Sequence, residues 1–100
     1  MKIRLYLIDD HEILIDGLQS YFTRETDFDV IGTATDPRIG LAEIEANRQN
    51  IDIVVADIEM PHMSGLDICA ALRARSPLPK VAFLTYHITA ELRYKVDRSK

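Results

Sequence analysis

The chain has 100 residues, 47% of them hydrophobic, and a formal net charge of −4. That is enough to bury the core of one compact domain, too short for two ordinary ones, and not the composition of a disordered chain. The acidic balance argues against a primary nucleic-acid or anionic-membrane surface, the single cysteine excludes an intrachain disulfide, and no run approaches the ~20 apolar residues a bilayer span needs.

In chain order, the first apolar run is Ile3 to Ile8, a strand ended by Asp9 and Asp10. Leu14, Leu18, Tyr21 and Phe22 then recur at intervals of three and four and predict the buried face of a helix. Val30 to Thr35 is the second strand, weaker and interrupted by Gly32. Asp36-Pro37 opens a second helix with an N-cap oxygen followed by proline in the first turn, and Leu41 and Ile44 form its inner stripe. The third strand, Ile51 to Ala56, is nearly continuous in apolar residues, as in sheets covered on both faces. A loop from Ile58 to Ser64 follows, and Ser64 caps a third helix facing inward with Leu66, Ile68, Cys69 and Leu72. Pro77 and Pro79 close it, Val81 to Leu84 is the fourth strand, and Thr89 caps a last helix carrying Leu92 and Val96.

Strands alternating with helices imply right-handed crossovers and a doubly wound α/β parallel sheet, in which ligands bind beyond the carboxyl ends of the strands. Strand one ends in Asp9-Asp10, strand three runs into Asp57 and strand four into Thr85. If these strands are neighbours, three carboxylates and a hydroxyl converge. Clustered carboxylates repel one another unless a cation compensates, and Mg²⁺ takes oxygen ligands together with phosphate oxygens. A carboxylate can also accept a phosphoryl group as a nucleophile, and Asp57, central and read as exposed at its strand end, is the candidate.

Asp9-Asp10 after one strand, Asp57-Ile58-Glu59-Met60-Pro61 with Gly65 after another and Leu84-Thr85 after a third resemble the receiver domain of bacterial two-component response regulators. The fragment LIDDHEILIDGL is similar to the subgroup with a helix-turn-helix DNA-binding output domain. The resemblance implies a flavodoxin-like fold with strand order 2-1-3-4. It implies that Asp57 takes a phosphoryl group from a sensor histidine kinase. Mg²⁺ is then held by Asp9, Asp10, Asp57 and the main-chain carbonyl of Glu59, and Thr85 is the switch. DNA is reached through an output domain and not by this domain, which is a phosphoacceptor in the cytoplasm and not an enzyme in its own right.

The pattern departs from the family after Thr85, since residues 86–100 read as loop plus helix. The family's fifth strand, its phosphoryl-contacting lysine and its fifth helix have no counterpart, and neither Lys95 nor Lys100 can be given the lysine's role. The reading is therefore of residues 1–100 as a C-terminally incomplete receiver, expected to be a piece of a longer regulator, with a naturally short receiver that works differently as the alternative. Its unpartnered fourth strand is expected to favour a homodimer, a domain-swapped oligomer or aggregation.

Two other functions fit parts of the pattern. One is a receiver-like interaction or dimerisation module that is never phosphorylated. The other is an aspartyl-nucleophile, Mg²⁺-dependent phosphatase, although the haloacid-dehalogenase type carries its DxD motif on the first strand and Asp57-Ile58-Glu59 lies on the third. His11, His62 and His87 lack the short spacing of a zinc site and read as solvated loop residues. Cys69 reads as core, and Met60 and Met63 as packing beneath the loop.

Overall fold

The computed structural model describes residues 2–84. Its sheet has four parallel strands in the order β2-β1-β3-β4. The elements in chain order are β1 (Ile3–Ile8), α1 (Glu12–Arg24), β2 (Phe28–Ala34), α2 (Pro37–Ala46), a 3₁₀ turn (Arg48–Asn50), β3 (Ile53–Asp57), α3 (Gly65–Arg73) and β4 (Lys80–Leu84). The expected doubly wound arrangement and strand order are both found. Thr85 and the helix expected from Thr89 lie outside the described residues.

The two-residue period of the strands sorts the core into two layers. Leu5 and Leu7 of β1 and Val55 of β3 pack with Ile15 of α1, joined by Leu18, Phe22, Phe28 and Leu84. Tyr6 and Ile8 of β1 and Val54 and Ala56 of β3 point the other way, against Ile44 of α2 and Ile68 and Leu72 of α3. Both central strands are therefore covered on both faces, which is why their sequences are almost unbroken in apolar residues. Met60 and Met63 pack against the second layer, as expected.

Several boundaries and faces differ from expectation. β2 begins at Phe28, not Val30, because the Phe28 ring packs against Phe22 at a centroid distance of 5.1 Å and the ladder pairs Ile3 with Phe28. Along this edge strand Phe28 and Val30 turn inward, so an aspartate is accommodated at position 29 between them. Ile31 is the extra residue of a bulge, since Leu5 pairs with Val30 and Tyr6 with Gly32. β3 starts at Ile53, not Ile51. Ile51 leaves the 3₁₀ turn, and the Asp52 carboxylate takes bonds from the Arg4 main-chain N–H (2.7 Å) and guanidinium (3.1 Å to each oxygen). Tyr21 and Leu66, placed on buried faces by their spacing, are 58% and 56% exposed, while Ile15 is the residue α1 buries.

Both predicted caps that fall among the described residues form. Asp36 accepts from the Arg38 main-chain N–H with Pro37 next to it, and Ser64 forms a reciprocal capping box with Asp67. Among the described residues β4 pairs only with β3, and Phe83 is 38% exposed.

His62, in the loop before α3, has a φ of 73°, a left-handed conformation that costs an L-residue roughly 1–2 kcal/mol. His62→Gly should therefore raise the stability to urea by about 0.5–1 kcal/mol after the extra entropy of an unfolded glycine is subtracted. His62→Val should lower it. If glycine destabilises instead, the histidine side chain holds the loop by contacts that outweigh the strain.

Candidate functional site

The parity that sorts the core also aims the acids. Asp9 continues the face of Leu5 and Leu7, and Asp57 that of Ile53 and Val55, each at the carboxyl end of a central strand. β1 and β3 are neighbours, so the two carboxylates emerge side by side above the layer that α1 covers. Asp10 follows on the rim, and α1 starts two residues later.

Carboxylate oxygens of Asp9, Asp10 and Asp57 and a ring nitrogen of His11 all lie within 4.8 Å of one another. The three carboxylates predicted to converge do so. The expectation that Asp57 is exposed does not hold: it is 4% exposed and Asp9 is fully buried. The reason is that β3 keeps pairing through Asp57, opposite Leu84, and the chain then turns back across it, with the Ile58 N–H on Leu84 O (3.2 Å) and the Gly65 N–H on Ile58 O (3.0 Å).

Burial pushes the Asp57 carboxyl above its ordinary pKa; the Glu59 main-chain N–H, 3.1 Å from Asp57 Oδ1, opposes the shift, and the charges of Asp9 and Asp10 add to it. His11 is the residue the sequence reading missed by taking it as a solvated loop histidine. Its Nδ1 is 2.9 Å from Asp9 Oδ1 and 3.2 Å from Asp10 Oδ1, and its main-chain N–H also donates to Asp9 Oδ1 at 2.9 Å. The bond to Asp9 first, then the charge of Asp10, holds the imidazole above its usual pKa. The signal in the sequence is adjacency, since His11 directly follows two acids at a strand end, and spacing among the histidines does not carry it. His62 does not join the cluster, and His87 and Thr85 lie outside the described residues.

Asp9 Oδ2 is buried with no hydrogen-bond partner, and Asp10 Oδ1 also lacks one, although His11 Nδ1 is near. A carboxylate oxygen fully removed from water and left unpaired is costly, so the cluster fits a hard divalent cation bound through oxygen. Asp9, Asp10 and Asp57 are of the right chemistry for Mg²⁺.

Residues 5–97 match the sequence profile of the response regulator receiver domain. The chain belongs to that family. Among curated relatives, the transcriptional regulatory protein MctR of Rhizobium johnstonii is 37% identical over 93 residues, which are 90% of this chain and 41% of MctR. A protein-glutamate methylesterase/protein-glutamine glutaminase of Hahella chejuensis is 36% identical over 80 residues, 80% of this chain and 21% of that protein. The receiver described here thus spans less than half of these relatives, which differ in what they do as whole proteins.

Solved receiver structures agree in fold. The signal receiver domain of NarL from Mycobacterium tuberculosis superposes with a TM-score of 0.77 at 28% identity, covering 97% of this chain and 77% of that one. A chain of the CheX-CheY-BeF3-Mg complex of Borrelia burgdorferi gives 0.78 at 27% identity, covering 90% and 66%. Among the described residues of this receiver, no helix is long and apolar enough to cross a membrane.

Proposed function

We propose that this receiver domain accepts a phosphoryl group on Asp57 from a phosphohistidine of a sensor histidine kinase, and that the modification controls an output, namely transcription. The observation that carries the reading is the pairing of a buried, pKa-raised carboxylate at the end of β3 with an unpartnered buried oxygen on Asp9. The first marks a group held apart from water at a strand end. The second is a buried acceptor that a bound cation would satisfy.

In the transfer, an Asp57 carboxylate oxygen forms the new O–P bond as the P–N bond to the donor imidazole breaks. The electron pair returns to the imidazole nitrogen, which takes up a proton. Asp9, Asp10, Asp57 and the Glu59 carbonyl would hold Mg²⁺, which would supply charge neutralisation for the phosphoryl oxygens. Asp57 is kept in place by the Glu59 main-chain N–H on Oδ1, and positioning of this kind is most of what phosphoryl transfer asks of a protein. The product adds negative charge and acceptor oxygens at the strand end. Thr85, which follows Leu84 in the sequence and lies outside the described residues, is the hydroxyl proposed to meet them and so to act as the switch. The transcriptional output follows the relatives whose names carry it, MctR and the DNA-binding transcriptional activator DevR/DosR, the latter 29% identical over 89 residues.

Incubation with a small phosphodonor such as acetyl phosphate and Mg²⁺ should add one phosphoryl mass to the wild-type protein and none to Asp57→Asn. Equal labelling of the variant removes Asp57 from the role. No labelling of either, with the fold intact, removes the phosphoacceptor reading itself.

A further inference from the structure

We propose that His11 is a nitrogen ligand of the cation site and shifts its preference from Mg²⁺ toward borderline divalent ions such as Mn²⁺ and Co²⁺. The inference rests on the reading of the acidic cluster as a cation site, and adds a residue and a selectivity that the three carboxylates do not carry. Three observations support it. The imidazole Nδ1 belongs to the same compact donor group as the three carboxylates, all within 4.8 Å. Asp9 is fully buried with Oδ2 unpartnered, and the buried Asp10 Oδ1, 3.2 Å from His11 Nδ1, has no hydrogen-bond partner either, so the group is not an acid patch satisfied by itself. And the ring does not need to be brought in, because the His11 main chain is anchored to Asp9 by its N–H at 2.9 Å.

The distances suit shared coordination. Donors in adjacent positions of an octahedral ion with ~2.1 Å bonds lie ~3.0 Å apart. His11 Nδ1 is 2.9 Å from Asp9 Oδ1 and 3.2 Å from Asp10 Oδ1. The ring reaches the cluster from the rim, its side chain 59% exposed, so it can exchange a carboxylate for a metal bond without moving the core. A neutral imidazole also adds a donor without adding to the negative charge already gathered there. Imidazole favours transition ions, whereas carboxylate, carbonyl and water suffice for Mg²⁺.

Any site of nitrogen and oxygen donors binds Co²⁺ more tightly than Mg²⁺ to some degree, so the diagnostic is the differential effect of removing the ring. Calorimetric titration of the wild-type chain and of His11→Asn with Mg²⁺, Mn²⁺ and Co²⁺ should show Co²⁺ affinity falling about tenfold or more in the variant, with Mg²⁺ affinity held within about threefold. Pulsed electron paramagnetic resonance of the Mn²⁺-loaded wild type should show coupling to an imidazole nitrogen, absent in the variant. Equal losses for all three ions, or no loss and no nitrogen coupling, would overturn the proposal and leave His11 as a counter-ion that departs when metal binds. The nitrogen signal is read on the wild type, so it stands even if the variant folds poorly. Nitrogen coupling in a protein that cannot be phosphorylated would remove the proposed function alone, and phosphorylation without nitrogen coupling would remove this inference alone.

Discussion

Asp57→Asn should make the metal-free domain more stable at neutral pH, by roughly 1–3 kcal/mol, the scale of one like-charge pair a few ångströms apart at an effective dielectric of 20 or more. Asp57 is 4% exposed and shares its corner with Asp9 and Asp10, so ionising it costs desolvation first and repulsion second. Its folded pKa is raised above the ordinary 3.8, so between the unfolded and folded values the native state binds the extra proton. Stability therefore falls as pH rises through that window and stays depressed above it. The asparagine has no such penalty, and its side-chain oxygen can still accept the Glu59 N–H. The difference between variant and wild type should grow from near zero below pH 3.8 to a plateau above the raised pKa. Taking the difference cancels groups with the opposite sign, such as Asp52, whose bonds to Arg4 depress its pKa and whose contribution is lost as pH falls. If the acidic cluster is the proposed cation site, saturating Mg²⁺ should narrow or reverse the order, because the wild type then gains the linkage energy. Urea unfolding across pH measures all of this. A variant less stable than wild type at pH 7 without metal would show that the Asp57 carboxylate is held by favourable contacts and not strained by its neighbours.

The alternation of strands and helices was legible because the central strands are buried on both faces, leaving Ile3–Ile8 and the run ending in Asp57 almost purely apolar. The caps at Asp36 and Ser64 were legible because capping is local chemistry, decided within four residues. The errors fall where the outcome depends on what a segment packs against. Helical spacing put Tyr21 and Leu66 on inner faces, but it fixes only relative angle, and α1 buries Ile15 beside the expected Leu18 and Phe22 and leaves Tyr21 outside. The acids at the strand ends could be found from topology. Their depth could not, because it is set by the chain folding back over Asp57 between Ile58 and Gly65. His11 was hidden for a similar reason: its role depends on a side-chain direction that the strand-to-helix turn sets.

Gly65→Ala should be among the most damaging single substitutions in the domain, for want of space and not of backbone freedom, since its φ is negative. A Cβ on Gly65 would stand 2.5 Å from the Asp57 carbonyl oxygen, 3.0 Å from its carbonyl carbon and 3.3 Å from Ile58 Cα. Every one of these atoms is backbone, so no side chain can swing aside. Either α3 shifts, breaking the Gly65 N–H bond to Ile58 O, or the end of β3 shifts and carries Asp57 with it. The α3 shift is opposed by Ile68 and Leu72, both fully buried, and by the Ser64–Asp67 capping box. The strand shift is opposed by the pairing of Asp57 with Leu84. The expected loss is about 2–4 kcal/mol, in the range of overpacking against a rigid neighbour. Phosphoryl labelling of whatever fraction stays folded should also fall, because Asp57, the proposed phosphoacceptor, moves relative to Asp9 and Asp10. Gly17 supplies the control within the same chain. It lies inside α1 with nothing within 4 Å of an added Cβ, so Gly17→Ala should stabilise by about 0.5–1 kcal/mol through helix propensity alone. Opposite signs for the two glycine-to-alanine changes in urea unfolding are the expected result. A Gly65→Ala protein that unfolds with wild-type stability and labels at the wild-type rate would show that the approach of α3 to Asp57 does not hold the site in place.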